Sequence, residues 1–334
     1  MVKSIQSPTG APHARILGVG GYRASRVVTN EEMCRMIDSN DEWIRTRTGI
    51  EERRWATDEE TVGVMAIAAG GKALADAGIG ADQIGCVLIS TVSYFTQTPS
   101  LAADVAAKLG AEGAAALDIS AACAGFCYGL ALAQDMIRSG SAEHVLVIGV
   151  ERLSDLTDKT DRNTAFLFGD GAGAVVVGPS QTPAIGPVVW GADGKQLDAI
   201  DQRFAWDALR DQPDLGFPYL QMKGQQVFRW ASYQMVPVAQ QALQKAGIDA
   251  ADLDAFIPHQ ANMRITDAMV KALKLPAHVP VARDVAQTGN TSAASIPLAM
   301  ERMLEQGEAP HGGLALLIGF GAGLVYAAQV VVLP

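Results

Sequence analysis

The stretch Ala73-Leu74-Ala75-Asp76-Ala77-Gly78-Ile79 is followed 169 positions later by Ala242-Leu243-Gln244-Lys245-Ala246-Gly247-Ile248, which repeats five of its seven residues. Recurrence of a pattern at a fixed distance indicates one structural unit that is used twice. We therefore predict two related halves, residues 1–180 and residues 181–334.

The same offset brings chemically capable side chains to related positions in the two halves. It carries Cys123 onto Ser292, with Asn290 two residues before that serine, and it carries Ser90 onto His259. A cysteine from one half and a histidine and an asparagine from the other would form a single pooled site. The repeat therefore predicts an active site between the halves.

Length and composition are typical of a globular protein. With 334 residues, 49% hydrophobic and 19% charged, the chain is long enough for two domains or a duplicated one. A net charge of −10 argues against general nucleic-acid binding, although it leaves room for a local basic patch. The cysteines lack paired metal-ligand or redox spacing, which predicts no metal site and a reducing compartment; they are Cys34, Cys86, Cys123 and Cys127.

Neither end of the sequence predicts a membrane or secretion segment. Residues 1–15 are polar and contain Pro8 and Pro12, so they lack the apolar core of a signal peptide. Residues 314–334 are nearly uncharged and long enough to span a bilayer. However, the glycines of residues 319–323 favour a turn between two buried strands. We therefore expect a cytoplasmic protein without a membrane span.

Short β-branched runs alternate with longer helical patterns along the whole chain. The predicted strands are residues 14–19, 86–91, 115–119, 145–150, 174–177, 188–190, 255–258, 279–281, 314–318 and 324–332. The predicted helices are residues 61–77, 125–139, 224–246, 262–273 and 291–305. Several helices carry Ala, Met or Leu on more than one face, which is typical of helices buried between sheets. The pattern predicts a layered α/β protein.

Two polar segments have no counterpart in the other half. Residues 151–168 and residues 196–219 are predicted to be surface loops that border a pocket. Residues 169–173 read Gly-Asp-Gly-Ala-Gly, but a strand follows them, whereas the dinucleotide-binding fingerprint opens a helix after a strand. Tight turns between core strands therefore explain these glycines better than a nucleotide site.

Cys123 lies in Ala122-Cys123-Ala124-Gly125-Phe126, between an apolar strand and a helix of small residues. A helix N-terminus favours the thiolate over the thiol. Small neighbours also leave backbone N–H groups accessible to a substrate. The ordinary alternative, a small core hydrophobe, fits Cys34, Cys86 and Cys127 better than it fits Cys123.

His259 and Asn290 have ordinary explanations when each is considered alone. His259 lies at the end of a predicted strand, where capping or packing is common. Asn290 precedes a predicted helix, where Asn is a frequent N-cap residue. The repeat, however, brings these residues and Cys123 to strand ends or helix starts, which is where open α/β architectures place ligand sites. Together they therefore favour a functional site.

Five motifs share one family pattern. They are Ala122-Cys-Ala-Gly-Phe126, His259-Gln-Ala-Asn262-x-Arg264-Ile265, Gly289-Asn290-Thr-Ser-Ala293, Gly319-Phe-Gly-Ala-Gly323 and Asp41-Glu-Trp43-Ile-Arg-Thr-Arg47-Thr-Gly49. Together they resemble β-ketoacyl-[acyl-carrier-protein] synthase III over essentially the whole chain. The resemblance implies a duplicated thiolase-like fold, layered α-β-α-β-α with two central mixed sheets. It further implies a homodimer that condenses an acyl-CoA primer with malonyl-acyl carrier protein and uses no cofactor.

The resemblance also implies catalytic roles. Cys123 would take the acyl group from CoA, which gives ping-pong kinetics. Decarboxylation of the malonyl group then leaves an enolate, and His259 and Asn290 would donate hydrogen bonds to it. The amide of Asn290 cannot ionise at neutral pH, so it is a donor and not a base. The backbone N–H groups of Cys123 and Ala322 would hold the tetrahedral oxyanion.

Binding residues follow from the same resemblance. Trp43 would stack on the adenine of CoA, Arg47 and Arg162 would lie near the adenine and phosphates, and Asn262 would lie near the pantetheine. Carrier proteins are acidic, so we expect a local positive patch despite the negative net charge. Its candidates are Arg229, Arg264, Lys271 and Lys274, of which the last three can share a helix face.

Departures from the family pattern bear on the substrate. Many relatives have Gly at the position of Ala122, and some have Gly at Ala322, where only a backbone N–H is needed. The residue before Pro99 would come from the partner subunit and close the acyl pocket, and in this chain it is the small Thr98. We therefore predict tolerance of branched or longer primers over strict selectivity for acetyl groups.

Three alternatives remain open at this point. A papain-like hydrolase orders Cys, His and Asn in the same way, but its cysteine flank and paired disulfide cysteines are missing here. A non-catalytic CoA-binding or scaffold protein would keep the fold and form no acyl adduct on Cys123. A starter-unit synthase of a polyketide pathway would use the same residues as an enzyme that initiates fatty acid synthesis.

Overall fold

The structure is a computed structural model that describes residue 5 and residues 9–334. Its strands are β1 (His13–Arg23), β2 (Arg26–Thr29), β3 (Glu52–Trp55), β4 (Cys86–Ser90), β5 (Ala115–Ile119), β6 (Val145–Arg152), β7 (Asp170–Ser180), β8 (Val189–Ala192), β9 (Ile200–Gln202), β10 (Leu220–Met222), β11 (Ala255–Pro258), β12 (Leu314–Gly321) and β13 (Val325–Val332). Its α-helices are α1 (Asn30–Met33), α2 (Asp41–Thr48), α3 (Val62–Ala77), α4 (Leu101–Leu109), α5 (Gly125–Ser139), α6 (Ala208–Asp211), α7 (Gly224–Ala246), α8 (Met263–Leu273), α9 (Val285–Thr288) and α10 (Ser295–Glu305).

Two mixed sheets share one strand order. The first sheet runs β1-β7-β6-β4-β5, with antiparallel pairing up to β6 and parallel pairing from β6 to β5. The second runs β8-β13-β12-β11, and only its β12–β11 pair is parallel. Strands β8, β13, β12 and β11 therefore repeat the arrangement of β1, β7, β6 and β4. The division of the chain at residue 180, which falls between the strands of the two sheets, stays a prediction.

The position of a fifth strand in the second sheet is occupied by irregular chain. Val281 forms only an isolated parallel bridge with Phe256 of β11, where the first sheet has the full strand β5. The prediction of a strand at residues 279–281 is therefore wrong. The segment contains Pro280, which accepts from the Phe256 N–H at 2.9 Å but has no N–H of its own to extend a ladder.

Helices cover both faces of each sheet. Helices α5 and α10 lie between the sheets, because Phe126 and Met300 belong to one buried cluster with Val147 of the first sheet and Leu317 of the second. Helices α3 and α4 pack on the outer face of the first sheet, and α7 and α8 pack on the outer face of the second. The predicted α-β-α-β-α layering is confirmed.

The repeated stretch of sequence forms two equivalent helix ends. Helix α3 ends at Gly78 with φ +64°, and α7 ends at Gly247 with φ +73°. Glycine is favoured at this position because a Cβ atom disfavours the left-handed conformation. The following residues, Ile79 and Ile248, donate their backbone N–H groups back into these helices at 3.1 and 3.2 Å. The motif therefore recurs because it ends a helix in the same way in both halves.

The offset of the repeat changes by one residue before it reaches Cys123. Ala122 and Ser292, which are 170 positions apart, both have positive φ, +43° and +48°. Each begins a three-residue 3-10 turn that leads into α5 or α10. Cys123 therefore corresponds to Ala293, and the predicted equivalence of Cys123 with Ser292 is wrong by one position.

Packing between the halves supports this corrected equivalence. A Cβ atom on Gly149 of β6 would lie 2.2 Å from the carbonyl oxygen of Ala293, and one on Gly319 of β12 would lie 3.0 Å from that of Cys123. Neither position tolerates a side chain, because both distances are at or below the limit of real contacts. Each central strand thus approaches the turn that begins the helix of the other half.

Two sequence predictions about polar or glycine-rich segments need correction. The glycines of residues 169–173 lie mostly within β7 and not in a turn, and a Cβ atom on Gly173 would lie 2.6 Å from the Pro297 side chain of α10. Residues 151–168 are not a surface loop throughout, because Phe166 and Phe168 are buried in a fourth apolar cluster. This segment forms a wall of the site described below.

The apolar C-terminal segment is built as strands. Residues 314–318 and 324–332 were predicted as strands, and β12 and β13 confirm them to within a few residues. In the part of the chain that the structure describes, no helix has the length and apolar character needed to cross a bilayer.

Candidate active site

A cavity of about 830 Å³ is lined by residues from both halves of the chain. Cys123, His259 and Asn290 all line it. The three side chains reach it from the turn before α5, from the end of β11 and from the turn before α10. The structure therefore brings together the three residues that the repeat had indicated.

Cys123 is held tightly against the glycine-rich end of β12. A Cβ atom on Gly321 would lie 2.9 Å from the Cys123 nitrogen and 3.0 Å from its sulfur. Only glycine lets the backbone come so close. The next residue, Ala322, also lines the cavity. The oxyanion role of its backbone N–H stays a prediction.

The resting form of Cys123 differs from the sequence prediction. The residue is half-buried, but protein atoms surround its sulfur closely, and this burial raises the pKa of Cys123 to about 12. A hydrogen bond with the Ser292 side chain lowers this pKa, and the charge of Glu151 raises it. Burial outweighs the hydrogen bonds that lower this pKa, so the structure favours a thiol over the predicted thiolate.

His259 is buried and fixed in orientation. Its Nδ1 lies 2.7 Å from the Ser295 hydroxyl, and its ring stands edge-on to Phe320 with the centroids 5.3 Å apart. Burial lowers the pKa of His259 to about 3, which keeps the imidazole neutral at physiological pH. A neutral ring carries one N–H and can act as a hydrogen-bond donor.

Asn290 is anchored by its backbone to the first half of the chain. Its N–H donates to the Leu167 carbonyl at 2.8 Å, and its carbonyl accepts from the Gly169 N–H at 3.0 Å. Its side-chain oxygen accepts from the Ser292 N–H at 2.8 Å. Because only the oxygen can accept that hydrogen, the NH₂ group of Asn290 is the end left available to the cavity.

Three of the four predicted CoA residues lie together at the mouth of the cavity. Trp43 and Arg47 of α2 line it, and the Arg47 guanidinium lies 5.7 Å from the centroid of the Trp43 ring. The Trp43 ring meets Phe166 edge-on at 5.4 Å. Asn262 caps α8 and donates to the Arg47 carbonyl at 3.1 Å, which joins the two halves at this point.

Arg162 is the exception among these residues. It does not line the cavity, although its neighbour Asn163 does, and it lies 3.8 Å from Asp38 on the surface. Its side chain is 55% exposed. A phosphate contact from Arg162 would therefore require the side chain to leave this weak ion pair.

The predicted basic residues do not form one helix face. Arg229 of α7 and Arg264 of α8 line the cavity mouth, with the Arg264 guanidinium 5.1 Å from the Phe228 ring centroid. Lys271 lies further along α8. Lys274 lies beyond the end of α8 as its left-handed cap, with φ +52°, so the prediction that it shares a helix face is wrong.

The two predicted acyl-pocket residues have different positions. Ala122 lines the cavity next to Cys123 and has φ +43°, a region that favours glycine, which fits the Gly that many relatives carry there. Thr98 is exposed on the loop between β4 and α4 and does not line the cavity of its own chain. A role for Thr98 in the acyl pocket would therefore require a second copy of the chain.

Three polar residues around Cys123, His259 and Asn290 were not predicted. Ser295 contacts His259, Ser292 contacts Cys123, and Glu151 contacts Ser292. Ser292 lies in the Asn290 motif and Ser295 lies two residues beyond it, so their positions offered a signal. Glu151 lies at the end of a buried strand without any local pattern. Among the described residues, no group of three or more His, Cys, Asp or Glu side chains could hold a metal ion.

Comparison with known proteins agrees with this geometry. The family model of 3-oxoacyl-[acyl-carrier-protein (ACP)] synthase III matches residues 117–194, and the model of its C-terminal part matches residues 243–333. The chain is 65% identical to β-ketoacyl-[acyl-carrier-protein] synthase III of Streptomyces glaucescens, with all of both chains covered. It is 63% identical, over the same full coverage, to β-ketoacyl-[acyl-carrier-protein] synthase III 1 of Streptomyces coelicolor. The chain belongs to the β-ketoacyl-[acyl-carrier-protein] synthase III family.

Solved structures place this synthase III family member in the same fold. The priming β-ketosynthase of the R1128 polyketide biosynthetic pathway matches with a TM-score of 0.97 and 50% identity, covering 99% of each chain. The 3-oxoacyl-[acyl-carrier-protein] synthase III of Aquifex aeolicus matches with a TM-score of 0.88 and 38% identity, covering 96% of this chain and 99% of that one. The predicted duplicated thiolase-like fold is confirmed.

Proposed function

We propose that this protein transfers an acyl group from CoA to Cys123 and condenses it, with loss of CO₂, with malonyl-acyl carrier protein to give a 3-oxoacyl-acyl carrier protein. The observation that carries the proposal is the single cavity lined by Cys123, His259 and Asn290. A nucleophile beside two neutral hydrogen-bond donors suits a reaction that alternates between an acyl-enzyme and an enolate.

The hydrogen bonds around His259 support its role as a donor. The Ser295 hydroxyl accepts from the Gln260 N–H at 3.3 Å, and we assign its own hydrogen to the 2.7 Å contact with Nδ1 of His259. Nδ1 then acts as an acceptor, and the proton of the neutral ring resides on Nε2. With the NH₂ group of Asn290, this Nε2–H would stabilise the enolate of the malonyl group. The backbone N–H groups of Cys123 and Ala322 would stabilise the tetrahedral oxyanion.

The mouth of the cavity supports the binding roles. Trp43, Arg47 and Asn262, which line the mouth, would contact the nucleotide and pantetheine of CoA, and Arg162 would join them after leaving Asp38. Arg229 and Arg264, both exposed, would meet the acidic carrier protein at the mouth. Lys271 and Lys274 would extend this contact over the surface of the second half.

The free edge of the first sheet supports a homodimer. Strand β5 pairs only with β4 among the described residues, and its Leu117 is 39% exposed. A sheet edge with an exposed apolar residue is a template for pairing with another chain. The loop that carries Thr98 and the 48% exposed Phe95 follows β4, so pairing of two copies would also cover this loop.

Two pathways remain candidates for the product. Relatives named β-ketoacyl-[acyl-carrier-protein] synthase III support the start of fatty acid synthesis. The priming ketosynthase of a polyketide pathway, with its TM-score of 0.97, supports the alternative of a polyketide starter unit. Thr98, being small, would leave room in the acyl pocket of a partner for branched or longer primers. Strong preference for acetyl-CoA over isobutyryl-CoA would contradict this view of the primer.

The test is a primer screen with malonyl-acyl carrier protein on wild type, Cys123→Ser and His259→Ala. We expect the wild type to form 3-oxoacyl product and to carry the acyl group on Cys123 by mass spectrometry. Cys123→Ser should lose product, and His259→Ala should still be acylated but fail to decarboxylate the malonyl group. Product formation by Cys123→Ser at the wild-type rate would contradict the mechanism, and hydrolysis without condensation would favour a hydrolase.

A further inference from the structure

Glu151 is a fully buried carboxylate at the end of β6, and the condensation mechanism gives it no task. Among the described residues, no Lys, Arg or His side chain lies within ion-pairing distance of it. Its oxygens accept from the Ser93 hydroxyl at 2.6 Å, from the Val92 N–H at 3.1 Å and from the Thr91 hydroxyl at 3.3 Å. Burial raises the pKa of Glu151 to about 7, so it can gain or lose a proton near neutral pH.

The remaining contact of Glu151 leads to the nucleophile. The Ser292 hydroxyl donates to Glu151 Oε1 at 3.2 Å. Ser292 and Cys123 both line the cavity, and the Ser292 side chain lowers the pKa of the Cys123 thiol. Ser292 is held in place by its positive φ of +48° and by the 2.8 Å bond from its N–H to Asn290. Ser292 of the second half therefore lies between Cys123 and Glu151, which both belong to the first half.

Acylation of a thiol requires an acceptor for its proton. Cys123 rests as a thiol, and a base must remove its hydrogen as the sulfur attacks the thioester. His259 is a weak base, because burial lowers its pKa to about 3 and its Nδ1 is bonded to Ser295. Glu151 is the stronger base, and its protonation as the thiolate forms would keep a single negative charge in the pocket.

We propose that Glu151 accepts, through the Ser292 hydroxyl, the proton that Cys123 loses when it is acylated. This inference deepens the proposed function and rests on it. The Cys123 S–H bond breaks and its proton passes to the Ser292 oxygen, while the hydroxyl proton of Ser292 passes to Glu151. The sulfur then forms a bond to the acyl carbon, and the bond from that carbon to the CoA sulfur breaks. The proton returns along the same path to the CoA sulfur, so CoA leaves as a thiol and Glu151 is again ionised.

The charged groups around Glu151 leave this path undisturbed. In the first sheet, the charged residues nearest the end of β6 are Arg152 on β6, Asp170 on β7 and Asp118 on β5. On the helices packed against β6, Lys72 and Asp76 of α3 bond the backbone of β1, and Asp135 and Arg138 of α5 are exposed. Arg152 pairs with Asp155 at 3.1 Å. Asp170 accepts from the backbone and hydroxyl of Ser154, and Asp118 accepts from the N-terminus of α4. Each is therefore engaged away from Ser292.

The test measures a single turnover of Cys123 acylation by acyl-CoA, without malonyl-acyl carrier protein, by quenched flow and mass spectrometry from pH 5.5 to 9. The acylation rate of the wild type should rise through about pH 7 as Glu151 ionises. Glu151→Gln should acylate about 100-fold more slowly at pH 8 and lose the rise, because its amide cannot accept the proton. Glu151→Asp keeps a carboxylate, so it should recover part of the acylation rate and part of its rise with pH.

Two further measurements separate this role from a structural one. In a Cys123→Ala background, which reports on His259 and Asn290 alone, adding Glu151→Gln should leave decarboxylation of malonyl-acyl carrier protein unchanged. Ser292→Ala interrupts the path while keeping Glu151, and it should also lose the rise near pH 7. This second variant decides the matter if Glu151→Gln does not fold.

Several results would overturn the proposal. Glu151→Gln could acylate within a few-fold of the wild type at pH 8, could slow equally at every pH, or could lose decarboxylation as well. Retention of the pH rise by Ser292→Ala would also exclude the path. All these results leave the proposed function standing, provided that the wild type forms the adduct on Cys123. A wild type that forms no adduct overturns the proposed function, and this inference with it.

Discussion

Gly321 stands against the nucleophile, so the absence of its side chain decides where Cys123 can lie. Gly321→Ala would place a Cβ atom 2.9 Å from the Cys123 nitrogen and 3.0 Å from its sulfur. We expect displacement of the sulfur and about a 100-fold loss in the rate of acylation, since misplacement by about 1 Å has that effect. Quenched-flow acylation of the purified variant measures it.

Gly71→Ala is the matched control for this change. Gly71 lies within α3, and the nearest atom to an added Cβ is a Leu109 methyl group at 4.0 Å. This variant should keep the full acylation rate and gain up to about 1 kcal/mol of unfolding free energy from helix propensity. Equal acylation rates in the two variants would show that Gly321 does not position Cys123.

Ser295 offers a test of the His259 tautomer. Ser295→Ala removes the partner of Nδ1, so the ring could place its proton on either nitrogen and rotate. Loss of one hydrogen bond lowers a rate by about tenfold. We therefore expect the rate of malonyl decarboxylation to fall by this factor, with little change in the rate of acylation. Exposed Ser141→Ala is the control. An unchanged decarboxylation rate in Ser295→Ala would argue against this serine as the residue that orients His259.

At the scale of single residues, local motifs predict the nucleophile and its partners but not their environment. Cys123, His259 and Asn290 each lie in a short pattern with a chemical reason for its residue types. Glu151 has none, because its partner Ser292 is 141 positions away along the chain. The protonation of Cys123 also escaped prediction, since the effect of burial on its pKa depends on atoms from both halves.

At the scale of elements, the N-terminus of α8 raises the question of whether Asn262 only caps this helix or also binds acyl-CoA. Its side chain caps α8 by accepting from the Arg264 N–H at 2.9 Å and also donates to the Arg47 carbonyl. Asn262→Ala should lower the unfolding free energy by about 1 kcal/mol, as loss of an N-cap does. It should also raise the KM for acyl-CoA.

Thr61→Ala is the control for Asn262→Ala. Thr61 caps α3 with its side chain, as Asn262 caps α8, but it does not line the cavity. It should lose similar stability in chemical denaturation without any change in KM. If both variants change KM equally, the effect of Asn262 is only structural.

Periodicity predicted elements well where one face or both faces are buried. Strand β11 and helices α5 and α7 have the predicted bounds, since apolar runs and glycine ends mark them clearly. The edge strand β5 also has its predicted bounds, although none of its residues is buried. The two-stranded sheet of β2 and β3 escaped prediction. It contains Arg26, Arg53 and Arg54, so it lacks apolar alternation, and it is stabilised by contacts such as the buried Arg53 with Asn30 at 2.6 Å.

For the whole molecule, the proposed dimer would form through the edge of the first sheet. Leu117→Glu places a charge on the exposed face of β5 and should shift the protein from dimer to monomer in sedimentation velocity, because buried unpaired charges at an interface are costly. The change should leave the fold intact, since Leu117 is already 39% exposed. Leu197→Glu, at a 64% exposed site away from β5, should remain a dimer. A Leu117→Glu variant that sediments as the wild-type dimer would exclude this edge.

The repeat predicted the architecture but not its register through the chain. The helix ends at Gly78 and Gly247 keep one offset, and the turns at Ala122 and Ser292 keep another, one residue longer. The offset between two equivalent residues gives the total number of residues inserted between them, but it does not show where the insertions lie. Only paired backbone conformations, such as the two positive φ values, show which residues are equivalent.

The anchoring of Asn290 has a consequence for how activity arises during folding. Its backbone is hydrogen-bonded to Leu167 and Gly169, more than a hundred positions earlier, so neither half alone can hold this amide in place. Long-range contacts of this kind form late, because closing a long loop precedes any gain from them. In a refolding experiment, helical circular dichroism should return first and decarboxylation only afterwards. The newly made protein should therefore lack decarboxylation activity until its two halves have packed together.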